Sequence, residues 1–217
     1  MKTLPKLKTK EKIINTAIKL FNESGIQGIT SRHIAAEMGI SHGNLDYHYK
    51  TKEDLLLAIY EKMRLDISES YQVSGVFSSS LEHFHKLLVE LEEFQYRYRF
   101  FNLDVLEISR TFPQVKQIIQ KTFEQRKMQT QGLFEKFIAD GLAEFPDTGT
   151  LERILHLTRM VITFWLSQCE ILSSYQYTKK GEMVNSVWIL LLPYLTESGM
   201  EEYRRIQEAK TQISSDV

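Results

Sequence analysis

Apolar residues recur along this chain at intervals of three and four, the period of a helix, and no stretch alternates as a strand does. Ile13, Ile14, Ala17, Ile18 and Phe21 make one stripe with Lys and Glu opposite, which predicts a helix from about Thr9 to Ser24, stopped by Gly25. Thr30 is placed as the N-cap of a short second helix, "SRHIAAEM", which ends at Gly39. Ser41 caps a third, reaching about Tyr49. Thr51 caps a long fourth, Lys52 to about Tyr71, with Leu55, Leu56, Ile59, Tyr60 and Met63 as its apolar stripe. "QVSGVFSSS" is predicted to be a hinge or linker. Longer helices follow, at about Ser80 to Tyr96, Arg99 to Thr111, Pro113 to Ala139, Thr150 to Ser174 and Lys179 to Thr196. Pro113 suits a first turn, where its missing N–H costs nothing. "EFPDTG" and "SYQYTKKG" are predicted loops, and about Met200 to Ala209 a short polar helix.

Two of these helices are too short to stand alone, and they are joined by "GIS". That is the pattern of a helix-turn-helix. Gly39 can adopt the left-handed conformation that ends a helix sharply. Ala35 is small enough for a close crossing, and Ile34, Met38, Ile40 and Leu45 supply the shared seam. Ser41, His42, Gly43, Asn44 and Tyr47 are not packing residues; Gly43 keeps the backbone slim where the third helix meets a surface. The major groove of DNA is about 12 Å wide and admits one helix whose side chains read base edges.

Charge sharpens this reading. The chain carries a formal −1, yet residues 1–52 hold nine Lys and Arg against four Asp and Glu, a net of +5, which leaves −6 for the rest. A basic first quarter on an acidic body points to a polyanion partner for the N-terminal part. The single cysteine, Cys169, permits no disulfide within one chain and fits a reducing compartment. The N-terminus lacks an apolar signal region, and "MVITFWLSQCEILSSY" contains Gln168 and Glu170 and is too short for a membrane span. The expectation is a cytoplasmic protein with no membrane partner.

"ITSRHIAAEMGISHGNLDYHYKTKEDLLLAIY" resembles the DNA-binding signature of the TetR (tetracycline-repressor-like) family of bacterial transcriptional regulators, over roughly residues 10–60. The resemblance implies an all-α fold, with an N-terminal three-helix helix-turn-helix DNA-binding domain and a C-terminal helical-bundle regulatory and dimerisation domain. The corresponding domains are 1–51, a connecting helix 52–72, and 73–217. It further implies that Thr30 and Ser31 hydrogen-bond phosphate, that Arg32 reaches a base or phosphate, and that Ser41, His42, Gly43 and Asn44 face the groove. Tyr47 and His48 would touch flanking phosphates, and Lys52 would meet phosphate beside the backbone amides of its helix. The family usually has an aromatic where Asp46 stands. A carboxylate there repels phosphate unless it faces away or accepts from a cytosine amine, and Tyr47 can take over the missing ring's contact.

Other chemistry fits less well. His33, His42 and His48 do not have the converging spacing of a zinc site. Glu82 and His85 form one Glu-x-x-His, whereas a di-iron bundle needs two, so no metal, cofactor or catalytic residue is assigned. Cys169 reads as a small core side chain, since a redox sensor needs a lowered pKa. A helical enzyme and an adaptor that has lost its DNA grip are the rival readings, and Asp46 is the feature favouring the adaptor.

Rings cluster in "FQYRYRFFNLDVLE". They read either as core or as the wall of a ligand pocket. Given the family, Phe100, Phe101, Asn102, Phe164, Trp165 and Gln168 are the candidate ligand residues, for an unknown small and largely apolar effector. The 150–174 helix is apolar on two sides. One stripe holds Leu151, Leu155, Ile162, Trp165 and Cys169, the other Ile154, Leu157, Val161, Phe164 and Gln168, so both must be covered. The family's last two long helices form a four-helix dimer interface, which places Leu155, Ile162, Val184, Trp188 and Leu191 between two copies. The expected protein is a homodimeric regulator, repressing from near-palindromic double-stranded operator DNA.

Overall fold

The computed structural model describes residues 8–71, 77–172 and 179–215. Its helices are α1 (Thr9–Gly28), α2 (Ser31–Glu37), α3 (His42–His48), α4 (Lys52–Tyr71), α5 (Ser80–Arg97), α6 (Arg99–Leu103), α7 (Val105–Thr111), α8 (Pro113–Ala139), α9 (Thr148–Ile171), α10 (Glu182–Leu191) and α11 (Glu197–Ser215). A 3-10 turn, Leu192–Tyr194, follows α10, and an isolated bridge pairs Ala143 with Leu195. Among the described residues no strand forms, so the all-α class holds.

The chain divides into two compact units, and the division differs from the expected one. The first unit takes Met1–Ser68 together with Tyr98–Lys121; the second takes Glu69–Arg97 and Thr122–Val217. Residues 98–121 thus group with the N-terminal helices. The reason is long-range bonding that a linear reading does not show. Phe21 of α1 packs on Phe100 of α6 with ring centroids 5.3 Å apart. The Phe100 N–H donates to Asn22 Oδ1 at 3.0 Å, and the Ile26 N–H donates to Asp104 Oδ2 at 2.8 Å. The Gln114 N–H donates to Glu53 Oε1 at 2.9 Å.

Within the first unit, Ile13, Ala17, Phe21 and Ile26 bury the α1 stripe, and Leu55, Leu56, Ile59, Tyr60 and Met63 bury that of α4. Gly25 has a φ of 69°, as its role as a stop requires, but the chain resumes helical geometry for one more turn to Gly28. The single helix expected over 99–111 is broken at Asp104, whose φ and ψ are −99° and 11°. Tyr98 anchors the start of this segment by donating its hydroxyl to Asp66 Oδ2 at 2.5 Å.

The second unit is built on rings. Phe84 of α5 meets Phe134 and Phe137 of α8 and Trp188 of α10 with centroids 5.4–6.0 Å apart. Tyr203 of α11 lies 4.9 Å from Trp188 and, with Ile206, docks the last helix on this core; the helix opens at Glu197, earlier than expected, where the Thr196 hydroxyl accepts from the Gly199 N–H at 3.1 Å. Its start lies close to the loop after α8, for a Cβ at Gly199 would collide with the Leu142 carbonyl oxygen. α9 begins two residues earlier than expected because Asp147 caps it, accepting from the Thr150 N–H at 2.8 Å. Glu92, buried, reaches across from α5 and accepts from the Gly181 and Met183 N–H groups at 2.7 and 3.3 Å. It therefore satisfies the start of α10, which opens at Glu182 rather than Lys179. The expected hinge lies partly outside the described residues, at 72–76, as does most of the "SYQYTKKG" loop, at 173–178.

Glu82 ties down the first turn of α5. Its carboxylate accepts from the Ser78 hydroxyl at 2.5 Å and the Ser78 N–H at 2.8 Å, and Lys86 lies 3.0 Å away. These contacts, the Ser78 hydroxyl foremost, hold its pKa at about 2 instead of 4.5. A carboxylate depressed on folding stabilises above its unfolded pKa and loses that contribution as pH falls through the folded one. Stability should therefore decline between pH 4.5 and about 2, and Glu82→Gln should flatten that acid limb in denaturant midpoints.

Candidate nucleic-acid interface

The α2–α3 pair is shaped by its caps. Thr30 Oγ1 accepts from the His33 N–H at 3.4 Å, and His33 Nδ1 accepts from the Thr30 N–H at 3.3 Å. At the other end of α2, the Ile40 N–H donates to the Ala35 carbonyl at 3.0 Å and the Gly39 N–H to the Ala36 carbonyl at 3.1 Å. Gly39, with φ 65°, is the left-handed residue this Schellman turn demands. Only Ile40 separates it from Ser41, whose hydroxyl oxygen accepts from the Asn44 N–H at 3.2 Å and opens α3. Thr51 and Asp54 then cap α4 reciprocally, with both bonds at 3.0 Å.

Ile34, Ala35 and Leu45 are buried beneath this turn, and Met38 and Ile40 are half-buried. The opposite side faces solvent. Thr30, Arg32, Ser41, His42, Gly43, Asn44 and Tyr47 are exposed, and Ser31 and His48 are half-exposed. Tyr47 stands 84 % open, edge-on to His48 at 5.3 Å. No atom comes within 4 Å of a Cβ built on Gly43, so the backbone there is bare to an incoming surface. Of the two acidic side chains in this region, Glu37 is paired with Lys19 at 2.8 Å, and Asp46 Oδ2 lies 3.0 Å from His42 Nδ1. The outward set presents hydroxyl, amide, imidazole and phenol groups, with the guanidinium of Arg32 as its permanent cation.

Lys52 departs from expectation. Its ammonium is half-buried, lies 5.6 Å over the Phe21 ring, and donates to the Ile29 carbonyl at 2.7 Å and to the Ile26 carbonyl. Burial lowers its pKa, opposed by the Asp104 carboxylate. The side chain expected to meet phosphate instead closes the α1–α2 connection. Nothing local signals this, since its partners lie 23 and 26 residues upstream. Asp104 holds the same connection from 78 residues downstream, where its carboxylate accepts from the Ile26 N–H. The pairing of His42 with Asp46 was legible as an i, i+4 spacing on α3.

Family models match most of the chain. One, described as bacterial regulatory proteins of the tetR family, covers residues 13–59. Another, described as bacterial transcriptional repressor, covers 62–203. The chain belongs to the TetR family of bacterial transcriptional regulators. A TetR-family regulator from Marinobacter aquaeolei VT8 superposes with a TM-score of 0.83 at 24% identity, over 95% of this chain and 98% of that one. A transcriptional regulator from Saccharomonospora viridis, solved in complex with choline, gives 0.71 at 17% identity, over 87% and 97%. The class C tetracycline repressor protein of Escherichia coli is 39% identical over 54 residues, a quarter of each chain. The HTH-type regulator YerO of Bacillus subtilis is 48% identical over 52 residues, 24% of this chain and 18% of that one. The alignments thus span only about a fifth to a quarter of these two relatives. The family is one of transcription regulators, not enzymes.

The other residues read from the sequence fall as follows in this TetR-family chain. Phe100, Phe101 and Asn102 belong to the first unit, where Phe100 is buried against Phe21 and Phe101 packs on Tyr60 at 5.5 Å. Phe164, Trp165 and Gln168 belong to the second: Phe164 is half-open to solvent, Trp165 buried and Gln168 intermediate. Leu155, Val184, Trp188 and Leu191, expected between two copies, are buried inside the chain's own core, and Ile162 packs against it. Trp188 even donates its Nε1–H to His85 at 3.1 Å, so a carboxylate placed there would report unfolding rather than dissociation. Outward on α9 stand Leu157, Met160, Phe164 and Ile171, and on α10 Ile189. Cys169 is half-buried, and burial raises its thiol pKa, the reverse of what a redox sensor needs. No described helix is long and apolar enough to cross a membrane.

Lys52→Ala should destabilise the first unit by about 1–3 kcal/mol, because two carbonyls lose a charged donor. Arg32→Ala, at an exposed site, should shift stability by no more than ~0.5 kcal/mol. Urea midpoints of the two variants separate the roles.

Proposed function

We propose that this regulator binds a near-palindromic operator as a homodimer, represses by occupying it, and is released by a small, largely apolar effector with one or two polar handles. The observation that carries the reading is the outward set on α2 and α3, Arg32, Ser41, His42, Asn44 and Tyr47, braced from beneath by Ile34 and Leu45. Such a helix, presented with its polar first turn bare, fits a major groove, with cationic and hydroxyl groups on the flanking phosphates.

Assembly is supported by the apolar stripe of α9. Leu157, Met160, Phe164 and Ile171 share one face at helical spacing, each at least 41% exposed, and Ile189 of α10 is 66% exposed. A second copy of the chain covers such a face with self-complementary packing and sets two reading heads to one palindrome. Effector binding is supported in the interior of the second unit. Gln95 Oε1, Thr158 Oγ1 and Trp165 Nε1 are buried with no hydrogen-bond partner, while Gln95 Nε2 donates to the Ile162 carbonyl at 2.5 Å. Polar atoms in that state cost free energy, and a ligand's polar handle relieves it. The Saccharomonospora viridis regulator of like fold holds choline, a small organic molecule. An effector that prefers one spacing of the paired heads by about 5.5 kcal/mol moves them from 1:99 to 99:1, and operator must weaken effector binding by the same factor.

Gel-shift with DNA upstream of the chain's own gene should retard one specific duplex. Arg32→Ala should weaken that complex and lower its salt slope by up to ~1 if the contact is to phosphate. Failure to select any duplex would refute the reading. The unaltered protein should sediment as a dimer at micromolar concentration. Phe164→Glu should yield a folded monomer that loses tight operator binding. A monomeric unaltered protein would count against the dimer.

A further inference from the structure

Asp46 is the acidic residue of α3, and it stands where a carboxylate weakens attraction to DNA. Its geometry gives it another use. Asp46 Oδ2 lies 3.0 Å from His42 Nδ1, one helical turn away, with both side chains partly exposed. His42 is the first residue of α3, beside the bare backbone of Gly43. An ionised carboxylate offers only acceptor lone pairs, so a bare nitrogen lone pair at that distance is repelled and an N–H is attracted. The carboxylate therefore keeps the imidazole proton on Nδ1. In the neutral ring this leaves a lone pair on Nε2, at the far edge. An acceptor on a reading helix selects the bases that carry a major-groove amino donor, adenine N6 or cytosine N4, over guanine and thymine, which present acceptors.

We propose that Asp46 is a specificity-determining residue that acts through His42: by holding the proton on Nδ1 it makes Nε2 an acceptor that selects a base with an exocyclic amino group at one position of each half-site. The proposal rests on the DNA-reading function above. Without Asp46 the ring is free to carry its proton on Nε2, where it donates to guanine or thymine as readily, and the discrimination collapses. Asp46 is then a positioning residue rather than a base contact.

The test is a binding selection from duplexes randomised around the operator, run at about pH 8, above the ordinary imidazole range. It uses the full-length protein, Asp46→Ala, His42→Ala and the double variant. The unaltered protein should enrich adenine or cytosine at one position per half-site. Asp46→Ala and His42→Ala should each reduce that preference about tenfold at the same position, and the double variant should match His42→Ala alone. Three outcomes overturn the inference. Enrichment of guanine or thymine there by the unaltered protein would mean that Nε2 does not read as an acceptor. A uniform rise in affinity for Asp46→Ala, with unchanged preference, would make Asp46 a plain surface charge. Additive losses in the double variant would make Asp46 a base reader in its own right. Enrichment of no duplex by the unaltered protein would instead remove the DNA-binding reading, and this inference with it.

Discussion

The ammonium of Lys52, drawn inward to the carbonyls of Ile26 and Ile29, is the contact on which the reading head depends. It joins the first residue of α4 to the connection between α1 and α2. The chain from Ser31 to His48 lies between these two fixed points. The carbonyls it meets follow Gly25, whose left-handed conformation turns the chain, and the intervening N–H of Ile26 is held by Asp104. Backbone groups in that turn have no helical partners of their own, so a cation and an anion from distant segments supply them. Burying a lysine is tolerable here because its charge is met by two acceptors and by the field of Asp104.

This explains why residues 98–121 group with the N-terminal helices. Asp104 reaches Ile26 because the helix over 99–111 breaks there, and Phe100 lies against Phe21 one turn earlier. The polar bonds fix orientation while the rings supply the burial. A helix-turn-helix of two seven-residue helices has too little apolar surface to be stable alone, and α1, α4 and α6 provide the remainder.

The second unit solves a different problem. α9 and α10 carry more apolar residues than one core can cover. Trp188, Val184, Leu191 and Leu155 turn inward onto Phe84 and its neighbours, and Leu157, Phe164 and Ile171 are left outside. Glu92 makes this packing possible by terminating α10 from a neighbouring helix, which a buried carboxylate can do because backbone N–H groups meet both its oxygens.

Much of this was written in local order. The caps at Thr30, Ser41 and Thr51, the glycine stops at Gly25 and Gly39, and the buried stripe of α4 could be read from spacing, because each is decided by residues within one or two turns. The bare residues of α3 were legible for the same reason: a helix whose only buried side chain is Leu45 shows its other faces in its composition. Tertiary structure alone decided the rest. Spacing showed that α9 had two apolar faces but not how the core would divide them: Leu155 and Trp165 of one stripe and Ile154 of the other are buried, while Leu157 and Phe164 are left outside. Lys52 looked like an outward cation because a lysine in a first turn commonly is one. Its direction depends on carbonyls left unpaired 23 and 26 residues away, and a local pattern carries no record of them.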